Sequence, residues 1–210
     1  MWLSGFWRRF LGLFRRKHVR LGIFGPPNGG KTTLANRICA DWLGTEMGST
    51  SRIAHETREI NIKERITIRN DDGKELTFSL ADTPGIATRI DAADFSRDGL
   101  AEPEAKARAR EGAKGVLASV EHLGKVDCVV LVLDATKEPF NQVNTTLLEA
   151  VTKRGIPCLL VANKIDLKKA DVDRVRAAFP DQEILGISAK YGDNIEVFYT
   201  TLFALVDRTR

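Results

Sequence analysis

The stretch VRLGIFGPPNGGKT (19–32) restricts the fold of this chain more than any other part of it. Its first six residues form an apolar strand pattern, and its last eight fit G-x-x-x-x-G-K-[ST]. A helical pattern then runs from Thr32 to about Leu43. A strand that passes through glycines straight into a helix is the opening of an alternating α/β chain, and the remaining sequence keeps that alternation.

Two segments follow in which apolar residues alternate, Ile60, Ile62, Ile66 and Ile68 in one and Leu76, Phe78 and Leu80 in the other. NDDG (70–73) between them carries an Asp-Gly turn, so the pair reads as a hairpin. After a polar stretch come a helix beginning at Pro103 and a strand over 126–135. Helix 141–154, strand 156–164, helix 171–178, a short strand over 183–187 and helix 194–207 complete the pattern. The expectation is a mostly parallel six-stranded sheet with helices on both faces. The 210 residues, 43% hydrophobic and 29% charged, suit one globular unit over 18–210 preceded by a distinct segment over 1–17. The longest apolar runs, such as CVVLVL (128–133), are strand-length, far short of a membrane span. Cys39, Cys128 and Cys158 have no metal-ligand spacing and read as buried free thiols in a reducing compartment.

Chemistry is expected at the carboxyl ends of the strands. In GPPNGGKT the glycines let backbone N–H groups turn toward a phosphate chain, and the following helix adds its positive end. Asn28, Gly29, Gly30, Lys31, Thr32 and Thr33 would line that chain, with Lys31 reaching the outer phosphates and the Thr32 hydroxyl binding Mg²⁺. DTPG (82–85) follows the strand ending at Ala81; there Asp82 would hold the same metal through water, and the Gly85 N–H would meet the terminal phosphate. NKID (163–166) ends a later strand with Asn163, Lys164 and Asp166. A carboxylate at Asp166 can accept from both the N1–H and the exocyclic amine of guanine, an edge that adenine lacks, which makes such a site discriminating. SAK (Ser188, Ala189, Lys190) follows the last short strand, where the Ala189 N–H could donate to the guanine carbonyl.

These four elements, in this order, resemble the motifs of translation-factor-related P-loop GTPases over about residues 19–207, and most closely the Era-like group, including small archaeal members. A P-loop ATPase with coincidental tetrapeptides is the alternative, and it is disfavoured because each piece falls where the strand order requires it. The resemblance implies a Ras-like P-loop G domain, GTP and GDP as ligands, and hydrolysis of GTP to GDP and phosphate. It places Lys31, Thr57 and Gly85 in the catalytic set. Thr57, in HETRE (55–59), matches the family's effector-loop threonine, which joins Thr32 and Asp82 at Mg²⁺; Thr50 and Ser51 are rivals for that role. Ile86 follows DTPG where Ras-like proteins carry a water-orienting glutamine, so slow hydrolysis is expected unless a partner or a cation helps. In potassium-activated relatives an asparagine at the place of Asn28 helps to hold K⁺; a turn residue tolerant of left-handed φ is the other reading. Bacterial Era carries a C-terminal RNA-binding domain, whereas the G-domain pattern here continues to Arg210, which weakens a ribosome-assembly role.

The opening MWLSGFWRRFLGLFRRK is of another character. It and Arg20 carry six of the 32 Lys and Arg residues and none of the 28 Asp and Glu, so the net charge of +4 belongs to this end and the remainder is slightly acidic. At helical spacing, Trp2, Leu3, Phe6, Trp7, Phe10, Leu11, Leu13 and Phe14 fall on one half of the circumference. Arg8, Arg9, Arg15 and Arg16 fall on the other. Arginines interrupt the apolar core that a signal peptide would need, and Trp2 excludes N-myristoylation. Three readings remain: an interfacial helix on an anionic membrane, an extra helix on the protein's own surface, or an RNA-binding arm. The first ranks highest. It makes the chain a GTP-dependent membrane switch, cytoplasmic and peripheral on the cytoplasmic face, by similarity to the Arf and Sar families. An RNA- or ribosome-associated assembly GTPase is the alternative, and the effector or activating protein is unknown.

Overall fold

A computed structural model of the chain describes residues 19–43, 62–69, 75–81, 103, 116–117 and 119–208. Strand β1 (Arg20–Phe24) leads into helix α1 (Lys31–Leu43), followed by β2 (Ile62–Arg69) and β3 (Glu75–Ala81). Then come β4 (Cys128–Asp134), α2 (Gln142–Lys153), β5 (Cys158–Asn163), α3 (Val172–Ala178), β6 (Ile184–Ile187) and α4 (Ile195–Asp207). Pro103 is helical, as its N-terminal place in a helix predicts, and helical residues 119–122 run into a short 3₁₀ turn at Leu123–Lys125. The arm over 1–17 lies outside the described residues, as do Thr57, Asp82 and Gly85.

The strands form one sheet in the order β2-β3-β1-β4-β5-β6. β2 and β3 pair antiparallel from Ile62↔Ala81 to Arg69↔Glu75, the hairpin that the alternation and the Asp-Gly turn predict. Every other pairing is parallel, β1 with β3 and β4, β4 with β5, and β5 with β6. Parallel strands need crossovers, and crossovers bury both faces of the sheet, so central strands become apolar at every position. β4, CVVLVLD, is buried along its whole length.

Alternation then sorts the side chains into two cores. Leu21, Ile23, Cys128, Val130, Val132, Leu159 and Val161 pack under α1 and α4, against Leu34, Ile38, Phe198 and Leu202. Their neighbours Phe24, Val129, Leu131, Leu133, Leu160 and Ala162 face α2 and α3, against Val143, Leu147, Val151 and Val175. The cysteines are free, and burial pushes the Cys39 thiol up to about 11 and the Cys128 thiol up to about 12. Such thiols stay protonated and pack as small apolar groups.

Candidate functional site

β1 lies inside the sheet, and the strands that follow it in sequence lie on both sides of it. In doubly wound sheets the crevice opens at such a reversal, outside the carboxyl ends of the strands. The ends of β1, β4, β5 and β6 bring there Gly25–Lys31, Asp134–Thr136, Asn163–Asp166 and Ser188–Lys190.

The first of these loops depends on glycine at two places. Gly25 has φ +141° and Gly30 φ +98°. A Cβ at Gly25 would collide with the Val132 carbonyl oxygen, and one at Gly30 with the Asn163 side-chain amide. Asn28 stands exposed between them at φ +59°. Positive φ at Gly25, Asn28 and Gly30 bends the loop tightly into the start of α1, where the unpaired amides of a helix N-terminus favour an anion. Lys31 is buried, its Nζ donating to the Pro26 carbonyl at 2.8 Å, so the ammonium is folded back over its own loop. Thr32 is half-buried at the first turn of α1, and Thr33 is exposed. Any side chain at Gly30 would displace the Asn163 amide that braces this loop.

Asn163 joins three of the loops. Its Nδ2 donates to the Gly29 carbonyl at 2.9 Å, and its Oδ1 accepts from the Ala189 N–H at 3.0 Å. The side chain is buried, so losing either bond would strand a polar group away from water. The Ala189 N–H, expected to meet the guanine carbonyl, is therefore directed at Asn163. Ser188 is fully buried, its hydroxyl oxygen accepting from the Tyr191 N–H at 3.1 Å, and it shapes the loop from within. Asp166 is exposed at the turn beyond β5. Lys190 is exposed too, with Nζ 4.8 Å from the centre of the Tyr191 ring. The Tyr191 hydroxyl and, more weakly, Asp166 raise its pKa.

Lys164 takes φ +72°, and its ammonium reaches Asp134 Oδ2 at 2.6 Å. Asp134 Oδ1 accepts from the Thr136 N–H at 2.9 Å and from the Thr136 hydroxyl at 2.6 Å. Burial alone would push this carboxyl up, but the bonds from Lys164 and Thr136 outweigh it and hold Asp134 below its ordinary range. Sequence reasoning missed Asp134. The signal available was an acid ending an otherwise apolar buried strand. It also missed Arg37, which grips the Ala189 and Lys190 carbonyls from α1.

Of the expected metal ligands only Thr32 is among the described residues, and no cluster of His, Cys, Asp and Glu suited to a metal occurs among them. A hydroxyl at the first turn of α1, beside the glycine loop, suits a hard cation such as Mg²⁺.

The profile of a family described as "50S ribosome-binding GTPase" matches residues 20–164. Era of Geotalea uraniireducens is 32% identical over 182 residues, 84% of this chain and 51% of that protein. The chain thus spans about half the length of the curated Era relatives it matches. Among solved structures, Era in complex with MgGDPNP and nucleotides 1506-1542 of 16S ribosomal RNA superposes with a TM-score of 0.58 at 24% identity, over 91% of this chain and 57% of that one. An Aquifex aeolicus Era variant bound to GDP and AlF4⁻ superposes with a TM-score of 0.56 at 23% identity, over 90% and 57%. At those identities the superpositions show a common fold.

Proposed function

The chain belongs to the 50S ribosome-binding GTPase family, as an Era-like member, and on that premise we propose that it is a guanine-nucleotide switch that hydrolyses GTP to GDP and phosphate. The observation that carries the reading is Asn163, whose one side chain ties the phosphate loop, the NKID turn and the SAK loop into a single crevice. The N–H groups of Asn28, Gly30 and Lys31, the positive end of α1 and the Lys31 ammonium, once it leaves the Pro26 carbonyl, supply positive charge for the phosphates. Asp166 accepts from the two guanine donors. Thr32, with Thr57 and Asp82, would hold Mg²⁺, which would neutralise charge on the outer phosphate oxygens. Gly85 would meet the terminal phosphate, and Asn28 would help to hold K⁺, a role that its exposure and left-handed backbone support. Ile86 cannot orient water, so hydrolysis is slow until K⁺ or a partner assists.

The output of the switch is read at the ribosome, with the basic arm over 1–17 as an RNA anchor. The family's description favours this over a membrane output. A second reading, a peripheral protein on the cytoplasmic face of an anionic membrane, keeps one observation in its favour: the clean division of apolar and arginine residues over 2–16. Both are tested by sedimenting the full chain, and a chain lacking 1–17, with ribosomes and with anionic vesicles in GDP or a non-hydrolysable GTP analogue. The full chain is expected to sediment with ribosomes in the analogue state, the shortened chain much less, and neither with vesicles. Flotation with vesicles and not with ribosomes would replace the ribosomal reading by the membrane one.

A further inference from the structure

One side chain outside the nucleotide motifs grips the loop at the base end of the crevice. Arg37 lies on α1, two turns beyond Lys31, and donates from Nη2 to the Lys190 carbonyl at 2.8 Å and from Nε to the Ala189 carbonyl at 3.3 Å. The guanidinium is itself braced from behind. Its Nη1 lies 3.8 Å from Asp41 Oδ1, one helical turn on, and Asp41 Oδ2 accepts from the Tyr199 hydroxyl at 2.7 Å. Tyr199 is 1% exposed and fixed in the core by α4, its ring tilted against Phe198. The loop passes close by: Gly192, at φ +88°, would place a Cβ 3.9 Å from Arg37 Cζ.

These bonds control direction as well as position. In a trans peptide the carbonyl and the following N–H point opposite ways. Pulling the Lys190 carbonyl toward α1 turns the Tyr191 N–H away from it, and that N–H indeed meets the Ser188 hydroxyl. Pulling the Ala189 carbonyl toward α1 turns the Lys190 N–H away in the same manner. The preceding amide, Ala189 N–H, is held by Asn163. Lys190 N–H is thus the loop amide that Arg37 aims.

We propose that Arg37 is a positioning residue for base discrimination, gripping the Ala189 and Lys190 carbonyls from α1 so that the Lys190 N–H presents a donor to the carbonyl edge of guanine. The inference rests on the guanine-nucleotide reading above. It separates two halves of base recognition: Asp166 reads the amino edge, and the loop steered by Arg37 reads the carbonyl edge.

Three purine diphosphates distinguish the halves. GDP carries both features, inosine diphosphate keeps the carbonyl and lacks the amine, and 2-aminopurine riboside diphosphate keeps the amine and lacks the carbonyl. Their affinities are measured on the full chain, on Arg37→Ala and on Arg37→Lys. In Arg37→Ala, GDP and inosine diphosphate are expected to weaken together by about tenfold, while the 2-aminopurine analogue is unchanged. Arg37→Lys, able to grip one carbonyl, falls between, and it decides the matter if the alanine variant does not fold. Equal losses for all three ligands, or no loss for any, would overturn the inference while leaving the guanine site standing. An unsubstituted chain that binds GDP no more tightly than ADP would remove that site and the role of Arg37 with it.

Discussion

Asp134 ends a strand that is otherwise entirely apolar, and its charge is set by a contest between burial and donors. Burial opposes ionisation; Lys164 and the two Thr136 donors favour it and prevail. A carboxyl whose folded pKa lies below its unfolded value stabilises the fold above that unfolded value and ceases to do so as pH falls through the folded one. The ordinary value is 3.8. Asp134→Asn is therefore expected to cost roughly 1–3 kcal/mol at neutral pH, with the deficit closing as pH drops below 3.8. Urea unfolding of both proteins across the acid range reads this directly; a deficit independent of pH would contradict it. At this scale the placement of Asn163 and Asp166 at a strand's carboxyl end was legible, because their tetrapeptide follows an apolar run. Asp134 and Arg37 were not, since what gives them roles is a partner 30 residues away in one case and more than 150 in the other.

Elements were legible wherever a local physical signal marks them. Asn141 and Asp171 cap α2 and α3, their side chains accepting from Asn144 N–H and Arg174 N–H, as residues of that type do at helix starts. The hairpin follows from alternation and its turn residues. Strand ends were less legible: the pattern predicts 126–135, while β4 runs Cys128–Asp134; the Val126 N–H turns back to the Leu123 carbonyl, and only from Asp127, which bonds the Arg20 carbonyl at the start of β1, does the chain join the sheet. The turn from β1 into α1 carries its own prediction. Gly30→Ala demands a strained φ and drives a methyl into the Asn163 amide. It is expected to destabilise by about 1–3 kcal/mol and to weaken GDP binding at least tenfold. Gly124→Ala, which meets nothing within 4 Å, is the control and is expected to leave binding unchanged. Paired thermal melts and GDP titrations decide it, and equal behaviour of the two variants would count against the turn's part in binding.

For the molecule as a whole, the alternation of elements announced a mostly parallel sheet but not its strand order. That β3 lies between β2 and β1, with β4 on the other flank of β1, depends on which way each crossover swings, and no local pattern records it. The order matters because it gathers the ends of β1, β4, β5 and β6 at one crevice, where side chains far apart in sequence bond to one another. The central claim is that this crevice selects guanine. The measurement that tests it most directly is calorimetric titration of the full chain with GDP and with ADP in Mg²⁺. A polar edge that guanine pairs and adenine leaves unpaired predicts that GDP binds at least about a hundredfold more tightly. Equal affinities for the two nucleotides would contradict the account.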